Sequence, residues 1–267
     1  MRRILFFVLL CVCAPVVFVH LVSAQVIQGI VIKESSFDPQ TKTVKLTFIN
    51  DRPRDLTAYH YCISVQSTDP DSNRRDCVLI DTADYTNRWN ADLRRRPYLA
   101  KFDRADACSN PNCNPVHPGQ ERVITTEVGG NRVFSATVTI DMVAWDDQTY
   151  QGSSKQLQVL INDRKTSMNT HLMVAKTIRE ALELPEPLMM DHVLQTIERE
   201  HKDSEFPKNV DLMVVLGELR QPNREKGDLN ESAPEKPREF LKLSLPFHEF
   251  VAAEFAKQLN FRPAGEQ

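Results

Sequence analysis

Four cysteines and one cluster of aromatic and basic side chains carry most of the chemistry this sequence offers. Cys62, Cys77, Cys108 and Cys113 lie downstream of an export-type N-terminus. An even cysteine count in an oxidising compartment points to disulfides. Four cysteines allow three pairings. Spacing favours the one in which Cys108 joins Cys113 across Ser-Asn-Pro-Asn and Cys62 joins Cys77 across a Pro-Asp-Ser-Asn loop. A zinc set of Cys108, Cys113 and His117, with Cys77 as fourth ligand, would need C-x4-C-x3-H, a spacing that fits no common zinc module. Disulfide chemistry is therefore expected in place of a metal, and no cofactor motif appears.

The second candidate is a ligand surface built from Tyr85, Trp89, Arg94, Arg95, Arg96 and Tyr98. Aromatic faces stack on sugar rings, and guanidinium groups grip carboxylates or phosphates in a fork. From Asp84 to Arg104 there are six Arg or Lys against three Asp, a local positive excess. Catalysis finds less support. His248-Glu249 lacks the second histidine of an H-E-x-x-H zinc motif, and neither a G-x-S-x-G elbow nor a phosphate-binding glycine loop is present. The remaining histidines, His60, His117, His171, His192 and His201, fall in no recognised spacing. Asp146 and Asp147 are adjacent, so on a strand their carboxyls face opposite ways. Turn formation, with one of them capping backbone N–H groups, explains them better than acid–base catalysis.

The elements that must hold these groups follow from periodicity. Apolar residues alternate at Val44, Leu46 and Phe48, at Tyr59, Tyr61, Ile63 and Val65, and from Phe134 to Ala144. Alternation places one face of each strand in a core. Strands are predicted over 26–33, 42–50, 56–67, 77–82, 121–128 and 132–145, separated by turn residues such as Asp38-Pro39 and Gly129-Gly130-Asn131. The class expected is mostly β plus α: an immunoglobulin-like antiparallel β-sandwich followed by an amphipathic helical C-terminal region. The polar stretch 83–117 reads as a long insertion in that sandwich, either held by a Cys108–Cys113 bridge or forming a poorly ordered flap.

After Gly152 the period changes to that of a helix. Ser153 to Gln156 fits a capping box, and Leu157, Leu160, Ile161, Leu172, Ala175, Ile178 and Leu182 lie near one stripe before Pro185. Shorter helices are predicted around 190–197 and 212–219, and a last one starting near Pro246. The domain reading is a signal peptide at 1–24, the sandwich at 25–152, a helical extension at 153–220, a breaker-rich linker at 221–237 and a C-terminal helix at 238–267.

The leader reading rests on Met1-Arg2-Arg3, an apolar run from Ile4 to Val22, and the small-residue ending Val22-Ser23-Ala24. Pro15 and His20 interrupt the run, which disfavours a retained anchor. Secretion or a periplasmic location is expected after cleavage near Ala24. Cleavage takes the basic count from 33 to 31 against 36 acidic residues, a net charge of −5. That balance points away from nucleic acid. No later segment is long and apolar enough to span a bilayer.

Phe48-Ile49-Asn50 followed by Leu56-Thr57-Ala58-Tyr59 resembles a strand pattern of bacterial immunoglobulin-like domains. Val143 to Gly152, leading straight into a helix, is similar to the closing hairpin of a group of exported bacterial proteins without an assigned activity. The resemblance covers roughly residues 40–180 and implies a sandwich with a helical tail. A fainter likeness to a small β-sandwich proteinase-inhibitor family supplies no inhibitory loop that can be placed here. The function expected is a non-enzymatic binding or interaction protein, its partner an envelope glycan or protein. The alternatives are a hydrolase with a dispersed acid and histidine site, and a structural subunit of an envelope assembly.

Overall fold

The computed structural model describes residues 27–95, 113–130, 132–203 and 236–265, with the side chains of Asp84, Arg95 and Asp203 outside that description. The leader expected at 1–24, Arg96, Tyr98, Cys108, the helix expected at 212–219 and the expected linker up to residue 235 all lie outside the described residues. Among the described residues eight strands form two sheets. β1 (Ile30–Asp38), β2 (Thr43–Asn50) and β5 (Glu121–Glu127) make a three-stranded sheet in the order β1-β2-β5. β3 (Leu56–Ser67), β4 (Arg74–Asp81), β6 (Val133–Trp145), β7 (Thr149–Gly152) and β8 (Arg262–Pro263) make a second sheet in the order β4-β3-β6-β7-β8. Every pairing is antiparallel except that of β7 with β8.

One apolar core lies between the sheets; alternation dictates its content on β2 and β3, whereas on β6 the shift at Asp141 puts Val143 and Trp145 into it and turns Met142 and Ala144 to the other face. Leu46 and Phe48 of β2 meet Tyr59, Tyr61, Ile63 and Val65 of β3 and Val138, Ile140, Val143 and Trp145 of β6. Phe48 and Tyr59 sit edge to face with ring centroids 5.4 Å apart. The fully buried Asn50 ends β2 by serving several segments at once. Its Nδ2 donates to the carbonyls of Arg54 (2.6 Å) and Val116 (2.7 Å), and its Oδ1 accepts from the Trp145 indole N–H at 3.3 Å. Beside it, the Arg52 guanidinium lies 4.3 Å over the Trp145 ring. Gly29, at φ +87°, leaves room for this arm, since a Cβ there would stand 2.3 Å from Arg52 Cγ.

The reverse face of the five-stranded sheet is covered by helices. α2 (Ser154–Leu182) begins at Ser153, whose hydroxyl accepts from the Gln156 N–H at 3.3 Å, and sets Leu157 and Leu160 on Ala58, Met142 and Ala144. Arg164, 3% exposed, makes a two-pronged ion pair with Asp81, both contacts 2.8 Å, and donates to the Gln258 carbonyl at 3.2 Å. Farther along α2, Val174, Ile178 and Ala181 pack with Met189, Val193 and Ile197 of α3 (Glu186–Asp203) and Leu241 of α4 (Pro237–Lys257).

Several elements depart from the sequence expectations. The stretch from residue 83, read as a bridged insertion or a flap with no helix assigned to it, opens with α1 (Ala83–Arg95). Ala83, Asn87 and Ala91 recur every fourth residue and are buried, and Asp81 Oδ1 accepts the Ala83 N–H at 2.9 Å. That stripe packs Ala91 on Phe247, Val251 and Phe255 of α4, so tertiary burial stabilises a helix in a polar segment. The first strand runs over Ile30–Asp38, not 26–33, because the left-handed turn at Gly29 precedes it. The last helix starts at Pro237 and carries Pro246 inside it, not at its start. Its first half is retained by Leu241 in the helical core and by Arg238, which donates to the carbonyls of Leu182 and Leu184. Beyond it the chain returns to the sheet as β8, so 238–267 is not helix alone.

Replacing Asn50 by Ala leaves the Trp145 N–H and two carbonyls to lose a buried partner. At 1–3 kcal/mol for a buried group left unsatisfied, urea unfolding should show a loss of about 3 kcal/mol. An unchanged midpoint would show that water replaces the amide.

Candidate functional site

Side chains capable of chemistry gather at four places, and the first lies on the helix-facing side of the five-stranded sheet. Residues i and i+2 of a strand share a face. Since Tyr59, Tyr61 and Ile63 point into the sandwich, His60 and Cys62 point out the other side of β3. Cys77 of β4 stands directly opposite Cys62 in register, and the two form a disulfide. β6 shifts register where His60 pairs Met142 and Tyr61 pairs Ile140, which leaves Asp141 as an extra residue. Its carboxylate bonds His60 Nδ1 and lies 3.7 Å from Cys62 Sγ, while Arg75 Nη2 approaches its other edge at 3.6 Å. His60 and Cys62 are buried; Cys77 is exposed. Cys113 is also disulfide-bonded.

The second place is α1. Tyr85 and Trp89 are one turn apart, half-buried, on the side opposite the Ala83, Asn87 and Ala91 stripe. The Arg94 guanidinium of the same helix stacks 4.0 Å over the Phe250 ring of α4. Arg95 continues the same helix, and Arg96 and Tyr98 follow it outside the described residues.

The third place is the end of the sandwich where β3 starts and β6 stops. His117 Nδ1 meets Asp55 Oδ1 at 2.8 Å. Asp147 accepts from the Thr149 N–H at 3.1 Å and from its hydroxyl at 2.6 Å, closing the β6–β7 turn. Burial pushes Asp147 up, but the Thr149 hydrogen bonds with Arg52 and Arg54 outweigh it and hold the carboxyl below the usual range. For Asp146, burial and the neighbouring Asp55 carboxylate win, and its carboxyl lies above the usual range. Adjacent carboxyls thus carry opposite shifts.

The fourth place lies within the helical layer. His171 of α2 and His248 of α4 are buried with their Nδ1 atoms 2.8 Å apart, a contact that needs one proton between them. Nε2 of His171 finds no hydrogen-bond partner among the described residues. Burial first, then His248 and Arg88, push the His171 imidazole down to about 2.

The histidines of these clusters were visible as residues but not as groups. The i, i+2 spacing of His60 and Cys62 was the available signal. Asp141 joins them through strand register, and His171 meets His248 through a helix crossing, neither of which sequence spacing encodes. No family model matches the chain, and no curated protein or solved structure matches it either.

The buried His171 has a consequence for pH. It stays neutral in the folded state but takes a proton below about pH 6.5 when unfolded, so stability is full above that value and falls as pH drops toward 2. With about 1.4 kcal/mol per pH unit per proton, unfolding free energy should fall by roughly 1.4 kcal/mol from pH 7.5 to 5.5. His171→Phe should flatten that slope; a slope equal to wild type would assign the pH dependence elsewhere.

Proposed function

We propose that this chain is an exported, non-enzymatic binding protein of the bacterial cell envelope that engages an acidic glycan through the outer side of α1. The observation that carries this reading is the pair Tyr85 and Trp89, presented one helical turn apart away from the buried stripe of the same helix. Two rings at that spacing match successive sugar faces, and basic side chains in the following stretch supply charge for carboxylates. Disulfide use by Cys62, Cys77 and Cys113 supports an oxidising compartment, as the leader does. Among the described residues no helix is long and apolar enough to cross a membrane. The immunoglobulin-like assignment belongs to the same proposal. It is supported by two sheets closing on one core and by the aromatic-x-Asn end of β2.

The test is a glycan array read with the exported chain, whose mass reports whether it begins at Gln25. Trp89→Ala and Tyr85→Ala should each weaken binding to acidic glycans by about tenfold, near the top of the range for one aromatic contact, with little change in melting temperature. Retained binding in both variants would remove α1 as the site. Binding confined to envelope proteins would replace the glycan as partner.

The opposed shifts of Asp146 and Asp147 beside the His117–Asp55 pair favour a hydrolase as a second reading, since environments that drive two acids apart assign acid and base roles. Hydrolysis of a chromogenic glycoside or ester panel that disappears in both Asp146→Asn and His117→Ala would establish it. Wild-type protein inert on the panel would end it.

A further inference from the structure

We propose that His60, Cys62, Cys77 and Asp141 form a binding site for zinc or a similar borderline-soft dication, opened when the Cys62–Cys77 disulfide is reduced. His60, Cys62 and Cys77 bring their ligand atoms within 4.8 Å of one another, a grouping drawn from two neighbouring strands on one sheet face. The bulge in β6 sets the Asp141 carboxylate against His60 and Cys62, outside that grouping of three but placed to offer an oxygen as fourth donor to the two sulfurs and the imidazole nitrogen. Zinc takes this donor set in tetrahedral geometry, with Zn–S near 2.3 Å and Zn–N near 2.0 Å. Those bonds imply ligand-to-ligand edges of about 3.5 Å. Cys62 Sγ lies 3.9 Å from His60 Nδ1 and 3.7 Å from Asp141 Oδ2, close to such edges.

The disulfide occupies the sulfur electrons that a metal needs. A dithiol reductant supplies two electrons: its thiolate attacks the accessible Cys77 sulfur, Cys62 leaves as a thiolate, and the second thiol resolves the mixed disulfide. The products are two cysteine thiols and the oxidised reductant. Metal binding then expels both thiol protons and displaces the proton shared between His60 and Asp141. The charge closes as well. Two thiolates and a carboxylate meet a dication, and Arg75, 3.6 Å from Asp141 Oδ2, supplies the remaining positive charge. The cluster is also anchored. Asp141 O accepts the Ser153 N–H at 2.8 Å, and Gly152, at φ +100°, lets that carbonyl approach where a Cβ would stand 2.2 Å from it. This inference uses a different face from α1 and stands apart from the glycan reading.

The experiment is a cobalt titration of the full chain, with Cys11, Cys13, Cys108 and Cys113 replaced by Ser, before and after reduction by a phosphine. The reduced protein should show thiolate-to-cobalt charge-transfer bands and the intense visible bands of tetrahedral cobalt, both removed by added zinc. The disulfide form should show neither. His60→Ala and Asp141→Asn keep both thiols and should each weaken cobalt binding by more than about tenfold. Absence of the charge-transfer band in reduced, folded protein overturns the proposal, as does unchanged affinity in His60→Ala. Should reduction unfold the chain, zinc must restore its far-ultraviolet circular dichroism in the parent and not in His60→Ala; failure to do so overturns the proposal equally.

Discussion

A single buried amide organises the end of the sandwich from which the remaining architecture is built. Asn50 is the last residue of β2, yet its side chain ties the loop before β3, the returning segment at Val116 and the indole closing β6. Its backbone is equally committed, donating to Gln120 O at 3.2 Å and accepting from the Gly119 N–H at 2.7 Å. An apolar residue would be as buried but could not hold four chain segments in register, and a charged one would bring an uncompensated desolvation cost. Both sheets therefore share a buried polar tie at this end of the core. Trp145 has the same double character, with its ring in the core under Arg52 and its N–H on Asn50.

The helical layer is joined to the sheet by a comparable device of opposite sign. Asp81 ends β4, accepts the first N–H of α1 and carries the two-pronged contact from Arg164 of α2. Through the Gln258 carbonyl the same guanidinium reaches the segment that follows α4. Three helices are thus referred to the end of one strand. A buried ion pair of this kind costs desolvation that its attraction only partly returns, so its contribution is better understood as fixing where the helices sit. That placement positions α1 with Tyr85 and Trp89 half-buried on the side away from its Ala83, Asn87 and Ala91 stripe, and sets the start of α2 beside Asp141.

Much of the strand pattern was legible because alternation is a local signal. Thr43–Asn50 and Leu56–Ser67 read directly from their apolar positions, whereas Val133–Trp145 was legible as a strand but not in its faces: Phe134 is exposed, and the shift at Asp141 turns Met142 and Ala144 to the helices. α2 was visible from its Ser153 cap and four-residue stripe. α1 was not, because its buried face consists of Ala83, Asn87 and Ala91, too small and polar to stand out until Phe247 and Phe255 pack on it. β8 was invisible for another reason. Two residues have no period, and their strand character comes only from β7 beside them. The candidate sites followed the same division. Cys62 and Cys77 were legible from spacing, whereas the roles of His60 and Asp141 depend on a bulge that shifts β6 by one residue.

The short closing strand has an implication for how the molecule avoids sticking to itself. β7 would otherwise present a bare ladder of donors and acceptors, the sort of rim onto which another polypeptide can zip. Arg262 N and Ala264 N occupy the Gln148 and Tyr150 carbonyls at 2.9 and 2.8 Å. Between them, Pro263 has no N–H to offer outward, and Arg262 sets a cation at the border. The tail thus works as a selvedge, finishing the fabric where it would fray into fibrils.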